Sequence, residues 1–335
     1  KYKNFSYICN MKLKKDTNKE EILELYKLTK SSELVAEILA EKYEIYNIST
    51  STLARKIRKW LERYSQEGEL VPDRKSLPAK VLVFDIETSP LIVYTWSKWQ
   101  QNIQDDDIIQ DWSILCFSAK WLFNNKTISF KMTDDELSEM DDSRLALELW
   151  KLLDEADIVI AHNGMKFDIK KCNSKFIENR LGLPSHYQVI DTLLHARKRF
   201  AMTSNKLDFL AKKLGLGGKM ETPKGMWRDV LSGDVKAYNK MMKYCNQDVK
   251  VLEDVYVEMR PYIQPHPNIG LFSEEEGLKC TCCASTNLKD TGRFYNTTVN
   301  QFKIFRCNDC RSMMRSRKTA LDRKKGDGIL SSLPN

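Results

Sequence analysis

No apolar run in the 335 residues approaches the roughly 20 needed to cross a bilayer. Residues 1–11 hold only the short run Phe5–Cys9, too weak for a secretory signal. A membrane or secreted protein is therefore not expected, and a cytoplasmic one is. The nine cysteines also lack the even spacing of a secreted disulfide framework. Cys9, Cys116, Cys172 and Cys245 are scattered, while five cluster between Cys280 and Cys310. That odd, clustered set points to a reducing compartment. What is present is a 42% hydrophobic chain with a net charge of +8, long enough for one large domain and smaller ones. The charge is uneven: residues 279–325 hold twelve Lys/Arg and three Asp/Glu, so the remainder is near neutral. A basic end on a neutral body fits a polyanionic partner, most simply nucleic acid.

Four apolar residues, Val81-Leu82-Val83-Phe84, run into Asp85-Ile86-Glu87-Thr88. The run is short, β-prone and closed by Ser89-Pro90, which predicts a buried strand. Residues two apart on a strand share a face, so Asp85 and Glu87 lie side by side. Adjacent carboxylates repel and are costly to bury unpaired. A divalent cation removes both objections, because hard cations prefer oxygen ligands.

Taken in order, residues 1–15 read as a flexible basic tail. Residues 16–65 carry three helical patterns. Leu34, Ile38 and Leu39 mark the face of the second, capped by Ser31 or Ser32. Leu53, Ile57, Trp60 and Leu61 form an apolar stripe on the third, with Arg55, Lys56, Arg58 and Lys59 beside it. Short helices with a basic last helix resemble a helix-turn-helix module, whose last helix would enter a major groove. Residues 66–79 read as a linker. Residues 80–263 alternate strands and helices: strands near 80–84, 91–96, 114–119, 127–130, 157–161 and 188–190, helices near 142–153, 168–180, 206–214 and 234–259. Hairpin strands followed by alternating elements predict a mixed α/β sheet with helices on its faces. Residues 264–277 form a second linker, 278–318 the cysteine region and 319–335 a basic flexible tail.

Asn163, Phe167 and Asp168 give N-x-x-x-F-D, and Tyr244 to Asp248 gives Y-x-x-x-D. On a helix Tyr244 and Asp248 share one face, with β-carbons about 5–6 Å apart. Together with Asp85 and Glu87, these segments resemble the three motifs of the DEDD 3′→5′ exonuclease superfamily. The likeness is closest to its tyrosine-type branch, which includes the proofreading domains of family B DNA polymerases and stand-alone, often phage-encoded exonucleases. Lys243 stands where the histidine-type branch has its histidine. The resemblance covers roughly residues 80–263 and implies a ribonuclease H-like fold. It implies that Asp85, Glu87 and Asp248 hold one Mg²⁺ or Mn²⁺, and that Asp85 and Asp168 hold a second. It further implies that Tyr244 orients the attacking water, that Glu87 meets the terminal 3′-hydroxyl, and that nucleoside 5′-monophosphates are released. Asn163 and Phe167 would support Asp168 from behind. His162 is expected to cap or pack at the strand end and Asp191 to order a turn, rather than bind metal. Trp96, Trp99, Trp112 and Trp121 are expected as core or loop anchors.

Cys280-x-x-Cys283 and Cys307-x-x-Cys310 are separated by 23 residues. Two such turns converge four thiolates at tetrahedral geometry, which suits one structural Zn²⁺ and resembles a zinc ribbon. Cys282 is the odd sulfur. Metal binding would supply the folding energy of so small a region. Arg306, Arg311, Arg315, Arg317 and Lys318 flank it, within reach of a nucleic-acid backbone.

The expectation is a metal-dependent exonuclease acting on DNA rather than RNA, with a replication or repair protein as a further candidate partner. Nothing in the chain resembles a polymerase palm. Two competing readings are an RNA-directed or structure-specific nuclease on the same fold, and a nucleic-acid-binding regulator with an inactive core.

Overall fold

The structure, a computed structural model, describes residues 22, 24–26, 32–42, 57, 77–99, 102–217 and 223–331. The chain divides into two compact units, Leu77–Thr286 and residues 1–76 with 287–335.

In the second unit, 287–335 with 1–76, helix α1 spans Ser32–Lys42. Val35, Ala36 and Leu39 are its buried face, while Leu34 and Ile38 are exposed. The expected face is thus corrected by rotation of nearly one residue. Apolar residues lie on several sides of this helix, so spacing alone could not choose between them. Ile22, residues 24–26 and Ile57 are helical. The rest of the expected helix-turn-helix region, including Arg55, Lys56, Arg58 and Lys59, lies outside the described residues.

The unit 77–286 is built on β1, Val81–Thr88. The next two strands along the chain are short and form a sheet of their own. Strand β2 covers only Ile92–Val93 of the expected 91–96 and pairs antiparallel with β3, Ile108–Gln110. Two residues beyond β2 the Thr95 hydroxyl donates to the Ser97 carbonyl at 2.8 Å, which turns the chain out of the ladder. Trp96 and Trp99 are 100% and 80% exposed, so they are not core anchors. Trp112 and Trp121 do pack against the core. Strand β4, Ile114–Trp121, runs antiparallel to β1, and β5, Ile128–Lys131, antiparallel to β4. Helices α2, Asp134–Glu139, and α3, Ser143–Glu155, follow. Strand β6, Ile158–Ala161, lies parallel to β1. Helix α4, Asp168–Glu178, leads to β7, Gln188–Asp191, parallel to β6. Helices α5, Thr192–Arg199, α6, Leu207–Lys213, α7, Met226–Leu231, and α8, Val235–Met259, complete the unit. The sheet order is β5-β4-β1-β6-β7, a mixed sheet with β1 at its centre.

Two cores sandwich this sheet. Leu82, Phe84 and Ile86 on one face of β1 join Leu145, Leu149 and Leu153 of α3 with Phe176 of α4. Val81 and Val83 on the other face join Val249, Leu252, Val255 and Tyr256 of α8. Each such side chain contributes about 1.5–3 kcal/mol when fully buried. Helix α8 starts where Asp234 Oδ1 accepts from the amides of Lys236 and Ala237, at 2.7 and 3.2 Å. It ends at Pro261, which lacks the amide to continue it. The buried ion pair of Lys120 on β4 with Glu253 on α8 fixes its position along the sheet. Ile269, in the stretch that composition marks as a linker, is buried in the same cluster beside Ile263.

The second unit also holds a three-stranded antiparallel sheet in the order β10-β9-β8. Its strands are β8, Leu288–Asn296, β9, Gln301–Cys307, and β10, Met313–Arg315. The tail read as flexible contains a short helix, α9, Arg323–Asp327, capped by Asp322. Among the described residues no helix is long and apolar enough to cross a membrane.

Candidate active site

The same face of β1 that buries Val81 and Val83 continues with Asp85 and Glu87. Opposite them stands the N-terminal half of α8. A carboxylate oxygen of Asp85, one of Glu87 and Cys245 Sγ all lie within 4.8 Å of one another. Cys245 Sγ is 3.5 Å from the Asp85 carbonyl and 3.8 Å from Asp85 Oδ2. Two ligand oxygens held 2.0–2.6 Å from one hard cation stand roughly 3–5 Å apart, so this donor set fits a divalent ion. Asp248 lies three residues beyond Cys245, hence on the same side of α8, and is 2% exposed. Tyr244 is half-buried one turn before it. Asn246 anchors this turn to the sheet: its side-chain carbonyl accepts from Ser118 on β4 at 3.1 Å and from Ser129 on β5.

Asp168 arrives from the other side of β1. It is the first residue of α4, where the sequence places the start of a helix. The pairing of β6 with β1 runs only as far as Val83. Beyond it, the amide of Ile86 donates to Asp168 Oδ1 at 3.4 Å instead of to a strand. That bond places Asp168 against the backbone between Asp85 and Glu87. Burial pushes its carboxyl up to about 7, helped by the nearby charge of Asp191.

The loop that carries Asp168 is held by Asp191. Asp191 Oδ1 accepts from the amides of Asn163, Leu193 and Leu194 at 3.0, 3.0 and 3.3 Å, and Oδ2 from Met165 at 3.1 Å. One carboxylate thus caps α5 and ties down the 162–167 loop, the turn-ordering expected of it. His162 Nδ1 lies 2.9 Å from Thr192 Oγ1, whose hydroxyl donates to the Ala161 carbonyl. With its single proton so engaged, Thr192 accepts from His162, which packs at the strand end as expected. Asn163 adopts φ +71 and its carbonyl accepts from Lys166 and Phe167, so its visible part in holding Asp168 is a backbone turn. Phe167 precedes α4 and is exposed, with Lys171 Nζ 5.4 Å from its ring centroid. Gly164 has no room for a side chain: a β-carbon there would sit 2.3 Å from Ala161 Cβ and 3.8 Å from Asp168 Oδ2.

All five residues of the expected catalytic set therefore belong to β1, the start of α4 and the middle of α8, around the carboxyl end of the central strand. Open α/β sheets bind ligands at this end, where the connections diverge. Residues 110–260 match a family model described as the RNase_H superfamily. None of the curated proteins matches the chain. The match opens at the end of β3 and closes just after α8, so it includes Asp168, Tyr244 and Asp248 and leaves out β1. The five-stranded mixed sheet with flanking helices agrees with a ribonuclease H-like fold. This supports a nuclease-type hydrolase whose substrate is nucleic acid.

A second donor set is made of sulfur. Cys280 and Cys283 lie in the unit 77–286, Cys307 and Cys310 in the other. Cys282 is buried, and its amide donates to Cys280 Sγ at 3.4 Å. The two C-x-x-C turns are built alike. Ala284 and Arg311, the residues just after each second cysteine, have φ +58 and +64. Their amides donate to the carbonyls of Cys280 and Cys307, both at 2.9 Å. The amides of Cys280 and Cys307 donate to the carbonyls of Ser285 and Ser312 at 2.8 and 3.0 Å. The shared pattern C-x-x-C-x-S was visible in the sequence and not used. Cys245 was missed for another reason: it sits inside Y-x-x-x-D at a position the motif leaves open.

Proposed function

We propose that this chain is a metal-dependent 3′→5′ exonuclease acting on single-stranded DNA ends. The observation that carries this reading is the meeting of Asp85 and Glu87 on β1 with Cys245 of α8, three residues before Asp248, while the Ile86 amide between the two acids donates to Asp168. Asp85, Glu87 and Asp248 would hold one Mg²⁺ or Mn²⁺, and Asp85 with Asp168 a second. When bound, such ions supply charge stabilisation to the attacking and leaving oxygens of an in-line displacement. The chain's own residues do the rest. Tyr244 projects one turn from Asp248 and orients the water that attacks the terminal phosphodiester. Glu87, nearest the exit of β1, accepts a hydrogen bond from the 3′-hydroxyl and so selects a strand end. Asp168 must be ionised to take part, and its raised pKa makes a cation compete with a proton there near neutral pH. Asp191 and Gly164 hold its loop in place.

The test uses strands labelled at one end or the other. With Mg²⁺, 5′-labelled single-stranded DNA should shorten by single nucleotides and release 5′-monophosphates, and Asp85→Ala should abolish this. Internal cuts, or activity that persists in the variant, would overturn the reading. An RNA strand belongs in the same assay, because the matched family is described by a ribonuclease name. Faster removal of ribonucleotides would assign the same site to RNA.

A further inference from the structure

The three-stranded sheet carries one face that no part of the catalytic reading uses. In its register Tyr295 stands opposite Phe302, Ile304 opposite Arg315, and Arg306 opposite Met313. Cross-strand partners and residues two apart share a face, so these six side chains point the same way. The Arg315 guanidinium lies 4.1 Å from the Phe302 ring centroid and 5.5 Å from that of Tyr295. Tyr295 remains 50% exposed, and Arg306, Met313 and Arg315 are exposed beside it. Asp290 pairs with Phe305 and lies on the opposite face, where Lys303 meets it at 3.3 Å. Over residues 287–331 the sequence has eleven Lys/Arg against four Asp/Glu. An aromatic ring left open beside a guanidinium, in a field of positive charge, is what a nucleic-acid base and its phosphate require.

We infer that this face binds single-stranded DNA: a base stacks on Tyr295, and Arg315, held against Phe302, stacks on or pairs with the next nucleotide. Arg306 continues the track along the phosphates. A duplex keeps its bases inside and offers nothing to Tyr295. A ribose 2′-hydroxyl could meet only Arg306, Arg315 or the Tyr295 hydroxyl, and with those engaged by phosphate and bases the face holds no side chain given over to it.

The test is fluorescence anisotropy of the full chain with a labelled strand of about 20 thymidines, without chelator and without added Mg²⁺ or Mn²⁺, so that binding is read apart from any hydrolysis. Tyr295→Ala should weaken binding about tenfold, Tyr295→Phe should stay within about twofold, and Arg315→Lys, which keeps the charge and loses the plane, should fall between. Binding of an abasic strand or a duplex should change less than about twofold in Tyr295→Ala. Retained zinc content checks that the variants fold. In the wild-type chain, photocrosslinking to 5-iodouracil DNA should label Tyr295 or Phe302, a readout that needs no variant. Four results would each overturn the inference: undiminished affinity in Tyr295→Ala, equal losses on the abasic strand, a uridine strand bound more tightly than thymidine, or crosslinks confined to residues outside 288–315.

Discussion

Strands β1 and β8 are of nearly equal length, 8 and 9 residues, and are built on opposite principles. The first four residues of β1 are fully buried between two cores, whereas β8 has no buried residue. The carboxylates at the end of β1 are therefore placed by packing, and the backbone that presents them stands without an ion. Cys307 and Cys310, at the end of β9, sit in a sheet whose strand β8 buries nothing, and an ion would have to supply what packing there does not. Metal is expected to serve chemistry in one place and folding in the other.

Stripping the sulfur site should have the largest effect, because structural Zn²⁺ is worth about 10–16 kcal/mol to small zinc modules. After chelation, amide exchange should become rapid across residues 288–315 and stay slow across 81–86 and 158–161. Joint loss of protection in both regions would erase the contrast. Next comes Asp248→Asn, expected to lower nuclease turnover on the order of a thousandfold, about 4 kcal/mol, with the unfolding midpoint nearly unchanged. A variant that unfolds instead would mean that Asp248 is a structural residue.

The Asp168 carboxyl gives a pH signature. Unfolded, it titrates near 3.8, and folded, near about 7. Between those values the native state holds the extra proton, so metal-free stability should fall as pH rises from about 4 to 7, by up to about 4 kcal/mol. Mg²⁺ or Mn²⁺ should flatten that slope by favouring the ionised form. Denaturant midpoints across this pH window, with and without Mn²⁺, check it, and a slope that ignores the metal would separate Asp168 from the cation. Gly164→Ala should cost about 1–3 kcal/mol through the clash with Ala161 and reduce activity by displacing Asp168. Unchanged activity would show that the loop relaxes without moving the acid. The smallest effect is expected for Ala284→Gly, which relieves a left-handed backbone. It should stabilise the cysteine turn by less than about 1 kcal/mol, read as slower zinc release.

The sequence made β1 legible because an unbroken apolar run ended in two acids at strand spacing. β4 and α8 were legible as long elements with a clear stop, and β6 as a short unbroken apolar run. The turn of α1 could not be read, because Val35 and Ala36 are as apolar as Leu34 and Ile38. Trp96 and Trp99 misled because size and apolarity argue for burial, while the turn at Thr95 carries them outward. At the site, Asp85, Glu87 and the spacing of Tyr244 from Asp248 followed from local geometry. The place of Asp168 did not, since it depends on where β6 stops pairing with β1, a fact about the sheet rather than the loop. Cys245 depends likewise on which side of α8 faces β1.

The most direct test is Mn²⁺ binding followed by electron paramagnetic resonance on the zinc-loaded chain, beside Asp85→Asn and Asp248→Asn. Four acids drawn from β1, α4 and α8 should take up Mn²⁺, and either substitution should remove most of it while leaving zinc in place. Full Mn²⁺ uptake by both variants would contradict the account, because the ion would then be held somewhere these acids are not.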